Sequence, residues 1–538
     1  MFSHIRSVFV LVLAGGVTWS CSGERVMTPQ GTEAGLPARG PLSKPAVSRD
    51  VTLAVVVARV HQDQVPVSGA TVEFSRSISG RVADYAWSAT TEENGEARVY
   101  IGADNVSGYY QARAWQDGSV LGSWSSIPIN GGYALRVDLP VGGKARVTGS
   151  STHSLVVVDE GEAVQVRSLL SHTGAPSLGA SLRYSVELAV RDFGSLHGHR
   201  IELGAPVDGM CSPQGGRAGA EQIIADPQVL GVIGTSCSGA AVEASPVLSA
   251  AGLVMVSPSN TSPLLTSDLK GNANSNYHPG YFRVSNNDIY QAKAVADFAY
   301  NELDLRRMAA VHDGDPYTTA LVGAFDDEFR ALGGEVAVTA AIEKGETDMM
   351  SVLVKFAAAG PDGIFFPLFR TEGSPFARQV RAFDGLEGVT LITGAAMLVS
   401  EFLGTPQSEA IYFAGPESDH GANVNVATGK DAEAVLTAFE ATYGESPGTP
   451  YWAYAYDATT LLLSAIDSVV VEAGGKLYID RTALRKEIRA TAGFQGLIGT
   501  LSCDDFGDCG TGRINIYHHT DSSIMDTAQL PVVYRFVP

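Results

Sequence analysis

Three short stretches of the chain gather hydroxyls, glycines and small side chains in a way that suits the capture of a small anion. Gly234-Thr235-Ser236-Cys237-Ser238-Gly239-Ala240 follows an apolar strand-like run and opens a helix-like one. Val256-Ser257-Pro258-Ser259-Asn260-Thr261-Ser262-Pro263 does the same after Leu253-Val254-Met255. Ser171-His172-Thr173-Gly174-Ala175-Pro176-Ser177-Leu178-Gly179 is the earliest of the three. The first turn of a helix leaves amide N–H groups without intrahelical partners, so a helix start rich in serine can hydrogen-bond a carboxylate with no buried countercharge. Ser238 and Ser259 lie on consecutive strand–helix units, so their two loops could flank one crevice. The plainer roles stay open beside it: Ser236 or Ser238 as helix caps, and 171–179 as an ordinary strand-to-helix loop.

Other chemistries fit poorly. The 234–240 loop lacks the Gly-Lys-Ser/Thr ending that grips nucleotide phosphates. Ser238 and Ser259 have no adjacent base, Gly-x-Ser-x-Gly is absent and His312 is expected on a separate lobe, so the sequence does not read as a hydrolase or any other enzyme. Of five cysteines, Cys211 and Cys237 form one potential disulfide pair, and Cys503 and Cys509 another. In the loop-entropy model these bridges stabilise by about 3.5 and about 2.4 kcal/mol. Zinc is the competing use, but there is no Cys-x-x-Cys and no histidine at ligand spacing, so neither a metal nor another cofactor is expected.

The elements that must position these loops follow from periodicity. From about residue 160, strands (164–170, 200–203, 229–234, 308–312, 363–366, 390–393) alternate with helical stretches (182–193, 218–225, 289–303, 318–332, 350–359, 375–383). This βαβ order predicts doubly wound parallel sheets with helices on both faces, and ligands in such sheets sit at the carboxyl ends of strands. The 160–538 segment is too long for one sheet, so two lobes are expected. The predicted division is about 160–285 and 418–498 for lobe 1, and about 286–417 and 499–538 for lobe 2. Residues 51–148 read instead as short strands between turn signals, a small all-β sandwich. Residues 22–50, rich in Pro, Gly, Ser and Thr, read as a flexible tether.

The apolar run from Val8 to Val17 behind Arg6 is too short for a bilayer span and suits a signal peptide, with 1–21 ending at Cys21 as the lipid-modified cysteine; plain secretion is the alternative. With 37 basic and 58 acidic residues the formal charge is −21, which argues against nucleic acid as a partner. A composition 45% hydrophobic and 18% charged is that of a globular chain.

Several separated motifs then agree in order: Thr173-Gly174, Asp208 with Cys211, Gly231-Val232-Ile233-Gly234 with Cys237-Ser238, Ser257-Pro258-Ser259-Asn260-Thr261, Tyr281-Phe282-Arg283, Asp288, Gln291-Ala292 and Phe494-Gln495-Gly496-Leu497-Ile498-Gly499-Thr500. Over about 160–538 the chain resembles the type I periplasmic binding proteins that serve branched-chain amino-acid ABC importers. The 51–148 segment resembles immunoglobulin-like or carboxypeptidase-regulatory-like modules. The first resemblance implies capture of a small amino-acid-like solute by hinge closure and delivery to an ABC permease, from a periplasmic protein held to a membrane only by its lipid. It also implies that Ser238, Ser259 and Thr261 hold the solute's carboxylate and ammonium from lobe 1, with Tyr317 and Phe369 closing from lobe 2. The family's acidic partner for the ammonium is missing from Thr393-Gly394-Ala395-Ala396-Met397, which leaves two expectations. Either Glu372 or Glu401 substitutes, or the solute is not an ordinary α-amino acid. A ligand-sensing or scaffold lipoprotein without transport is the other functional expectation.

Overall fold

The computed structural model describes residues 52–78, 81–82, 86–103, 106–151 and 154–538; the signal-peptide, Cys21 and tether expectations lie outside them. The described residues between 52 and 151 form two facing sheets. Thr52–Gln62 runs parallel to Ala134–Pro140 and antiparallel to Glu96–Ala103, while Thr71–Ile78 pairs with Gly108–Gln116 and with Trp87–Thr90. The opening strand shows why its sequence is apolar without alternation. Ala54, Val56, Ala58 and Val60 fill the space between the sheets, and Leu53 and Val55 on the opposite face pack against Leu155, Ala473 and Tyr478 of the following domain. A strand buried on both faces has no polar side to alternate with. Arg98 paired with Asp480 adds an ionic tie at the same junction.

The remainder is two-lobed. The first sheet runs Ser195–Leu196, His199–Glu202, Val164–Leu170, Val229–Gly234, Val254–Ser257, Tyr281–Arg283 and is parallel through its centre. Val229–Gly234 is buried along its whole length, as a central strand between two helix layers must be. The helices Pro176–Phe193 and Tyr451–Val469 pack on one another on one face, and Pro213–Ile224 and Ser238–Ala250 do so on the other. Gly231 is needed here: a Cβ would lie 2.9 Å from both Leu462 and Val254. The second sheet runs Glu335–Ala341, Arg307–His312, Gly363–Phe365, Thr390–Thr393, Ile411–Gly415, then two antiparallel strands, Ile514–His519 and Val532–Phe536.

Two boundaries differ from the sequence reading. The last crossing between lobes comes later than residue 498, because Leu501 and Cys509 sit in the core of lobe 1 and the Arg283–Asp508 ion pair fastens this stretch there. The helix expected to begin at Pro375 spans Arg370–Arg381, with the proline inside it. A proline near a helix start costs one amide hydrogen bond and is an imperfect marker of the first residue. The earlier start makes Phe369 the residue that precedes the helix and turns Glu372 into its first turn.

Candidate functional site at the lobe interface

Lobe 1 supplies two loops laced to one another by their own hydroxyls. Gly234 ends its strand at φ 145°, a conformation that favours glycine, and delivers Thr235–Ser238 to the sheet's carboxyl edge. The Ser257 hydroxyl donates to Thr235 O (3.1 Å) and accepts the Asn260 amide (3.0 Å), while the Ser259 hydroxyl donates to Ser236 O (2.8 Å). Ser238 Oγ accepts the Ser262 amide at 3.3 Å, so its own proton is available to a ligand. Behind the second loop lies Arg283, fully buried and paired with Asp508. It donates to Ser262 O at 2.7 Å and to Thr266 Oγ1 at 2.6 Å. The Cys211–Cys237 disulfide anchors the first loop immediately before helix Ser238–Ala250. Cys237 stands at the N-cap and makes no side-chain cap hydrogen bond, and the amides of Ser238 and Gly239 open the helix's positive end. The cysteine pair Cys503–Cys509 is likewise bonded.

Lobe 2 faces these loops with aromatics. Tyr317 lies in the first turn of helix Pro316–Ala331, whose start is capped by Asp315 (Oδ1 to Tyr317 N, 2.9 Å). The Tyr317 and Phe369 rings meet edge to face with centroids 5.4 Å apart. The Lys344 ammonium sits 4.8 Å from the Phe369 ring centre. Between the lobes lies a small cavity of about 30 Å³. Ser238, Ser259, Thr261, Tyr317 and Phe369 all line it. So do Leu178, Tyr451, Ala395 and Ala396, which the sequence did not single out as site residues. The eleven lining residues are uncharged.

Glu372 and Glu401 are not among the residues that line this cavity. Glu372 is buried and accepts the Gly345 amide at 2.6 Å, and burial pushes its carboxyl above the usual range. Glu401 pairs on the surface with Arg370 at 2.9 Å. The 171–179 loop contributes Leu178 and none of its hydroxyls. Asp208 instead ties that loop down, accepting His172 N and the Thr173 hydroxyl, both at 2.8 Å. Of the aromatic group 451–456, Tyr451 reaches the cavity at the helix start while Trp452, Tyr454 and Tyr456 lie in the core of lobe 1. Position at the N-terminus of helix Tyr451–Val469, just as for Ser238 and Tyr317, is the signal that could have found it.

The lobes also touch directly. The Ser262 hydroxyl donates to Pro316 O at 2.9 Å. Asp315, with its side chain 2% exposed, pairs with Lys344 at 2.6 Å and lies against Gly239 of lobe 1, and Lys344 also donates to Cys211 O at 3.3 Å.

Two parallel-sheet lobes with neutral hydroxyls and a helix start on one wall and aromatics on the other define a solute-binding protein. Residues 168–511 match the family model described as periplasmic binding protein, and the chain belongs to that family. An amino acid binding protein of Pseudomonas aeruginosa is 28% identical over 313 residues, 57% of this chain and 78% of that protein. The Leu/Ile/Val-binding protein homolog 3 of Brucella melitensis is 26% identical over 354 residues, 65% of this chain and 89% of its own. The crystal structure of a leucine-binding protein from Thermotoga maritima superposes with a TM-score of 0.60 at 23% identity, covering 70% of this chain and 99% of the other. The relatives are binding proteins rather than enzymes, and the family is extracytoplasmic.

Proposed function

We propose that this protein captures a small amino-acid-like solute between its lobes and presents it to the permease of an ABC importer. One observation carries the reading: four serine and threonine residues of lobe 1 (Ser236, Ser238, Ser259 and Thr261) and two aromatics of lobe 2 share a single cavity. The solute's carboxylate lies at the start of helix Ser238–Ala250, hydrogen-bonded to the Ser238 hydroxyl and the first amides, and its apolar part lies against Leu178, Tyr317, Phe369 and Tyr451. Contacts to both lobes favour the closed form, and closure creates the surface the permease reads. The relatives' names and their coverage support the same reading. Small-angle scattering with and without the molecule released from the denatured protein tests it; an unchanged radius of gyration would refute hinge closure.

The anchor is a lipid on Cys21, with residues 22–50 as tether. Radiolabelled palmitate incorporated into the wild type and lost in Cys21→Ser would support this, and no labelling would refute it. The β-strand segment before the lobes serves as an immunoglobulin-like spacer. Its two facing sheets support that reading, as does the Tyr110 hydroxyl donating to Val106 O at 2.7 Å, the kind of contact that fixes a strand corner in such modules.

A further inference from the structure

Directly behind the cavity lies a deeply buried carboxyl group with few partners. Asp288 opens helix Asp288–Asp297 and is 0% exposed, and among the described residues neither of its oxygens has a well-formed hydrogen bond. Its amide donates to Thr261 O at 2.9 Å, and the Thr261 hydroxyl borders its carboxyl group. Thr261 itself lines the cavity. Buried polar atoms of native proteins are nearly always satisfied, so a carboxyl group this poorly satisfied beside a ligand cavity points to a role in binding. It is not alone. The Gln291 amide, one helical turn on, and the Tyr317 hydroxyl also lack hydrogen bonds of normal geometry, and both lie against Gly394.

We propose that Asp288, acting through the Thr261 hydroxyl, supplies the negative charge that answers a cationic nitrogen on the bound solute. This rests on the solute-capture reading above. Thr261 can donate its proton to Asp288 while its lone pairs accept from the solute, so the hydroxyl relays the charge across one side chain. The geometry thus assigns opposite ends to a zwitterion: carboxylate at Ser238, nitrogen at Thr261 and Ser259, whose hydroxyl likewise donates inward to Ser236 O. The groups facing Asp288 are the Arg283 guanidinium, itself committed to Asp508, the Tyr317 and Tyr451 phenols, and Thr261. Burial pushes the Asp288 carboxyl up to about 7, which favours its protonated form at pH 6 while no cation faces it. A cation reaching Thr261 from the cavity favours the carboxylate, and the proton leaves to solvent.

Calorimetry in buffers of different ionisation enthalpy reads that proton. L-leucine and L-phenylalanine, each beside its deaminated counterpart 4-methylpentanoate or 3-phenylpropanoate, are the probes. Expected are release approaching one proton per amino acid at pH 6, little release at pH 8.5, and binding about tenfold tighter or more at pH 8 than at pH 5.5. The deaminated acids should release no proton and bind about tenfold or more weaker at pH 8. Asp288→Asn should abolish the release and the pH dependence; were it to misfold, the wild-type proton count still decides. An amino acid bound without proton release, or a deaminated acid bound equally well, overturns the role of Asp288 and leaves the carboxylate site standing. If neither class binds, the solute-capture reading falls, and this inference with it.

Discussion

Gly239 is where closure can be tested with one methyl group. It occupies the first turn of helix Ser238–Ala250 in lobe 1, and a Cβ built on it lies 2.6 Å from Asp315 Oδ2 of lobe 2. Asp315 has little freedom to yield, since it caps Tyr317 N at 2.9 Å and pairs with Lys344 at 2.6 Å. For Gly239→Ala the lobes must therefore part by roughly 0.8 Å to restore van der Waals contact near 3.4 Å, which lies in the range where overpacking costs about 1–3 kcal/mol. In an open form the methyl group meets solvent, and alanine is the better helix former by about 1 kcal/mol or less. The whole penalty then falls on the closed, bound state. The dissociation constant for the solute recovered from the purified protein should rise about 5- to 150-fold, with the melting temperature of the empty protein unchanged or higher. Titration calorimetry and differential scanning calorimetry measure the two quantities. A dissociation constant within twofold of wild type would mean that the bound lobes do not meet at Gly239 and Asp315.

Three further outcomes follow from the same geometry. Ser238→Ala removes a hydroxyl whose proton is free for the ligand, a loss of about 1.5–3 kcal/mol for a bond to a charged group, so titration should show affinity weaker by about tenfold or more. Replacing Cys211 and Cys237 together by serine releases a bridge across a sequence separation of 26, and denaturant unfolding should register a loss of about 3.5 kcal/mol together with weaker solute binding. Asp457 is fully buried, accepting the amides of Leu497 and Ile498 at 2.9 Å, and burial pushes its carboxyl up to about 6. Its folded value lies above the unfolded one near 3.8, so the stability linked to its proton is full below that pH and lost as the pH rises through about 6. Asp457→Asn should flatten the fall in stability between pH 4 and 6; a wild-type slope left intact would show that the group is already ionised at pH 4.

Much of the architecture was legible because it rests on local signals. Strands such as Val229–Gly234 are apolar over their whole length only when helices cover both faces, and helix starts such as Ser238 announce themselves by what precedes them. Ser259 was legible in the same way, in a loop that follows a strand, whereas Thr261, Tyr317 and Phe369 came from the family resemblance and not from a local signal. Glu372 and Glu401 were plausible by nearness in sequence, but one turn of helix carries Glu372 to the Gly345 amide and a surface pairing takes Glu401 to Arg370.

The order of apolar and polar residues in this chain determines its parallel sheets, its cystine candidates and the hydroxyl character of one wall of the cleft, since each of these depends on neighbours within a few positions. Only the tertiary structure decided that Tyr451, from a distant helix, completes that cleft, that the cleft is lined by neutral groups, and that Asp288 lies buried behind Thr261. Such facts depend on how separately folded lobes meet, and the free energy of burying a charge is set by everything around it rather than by the residues beside it in sequence.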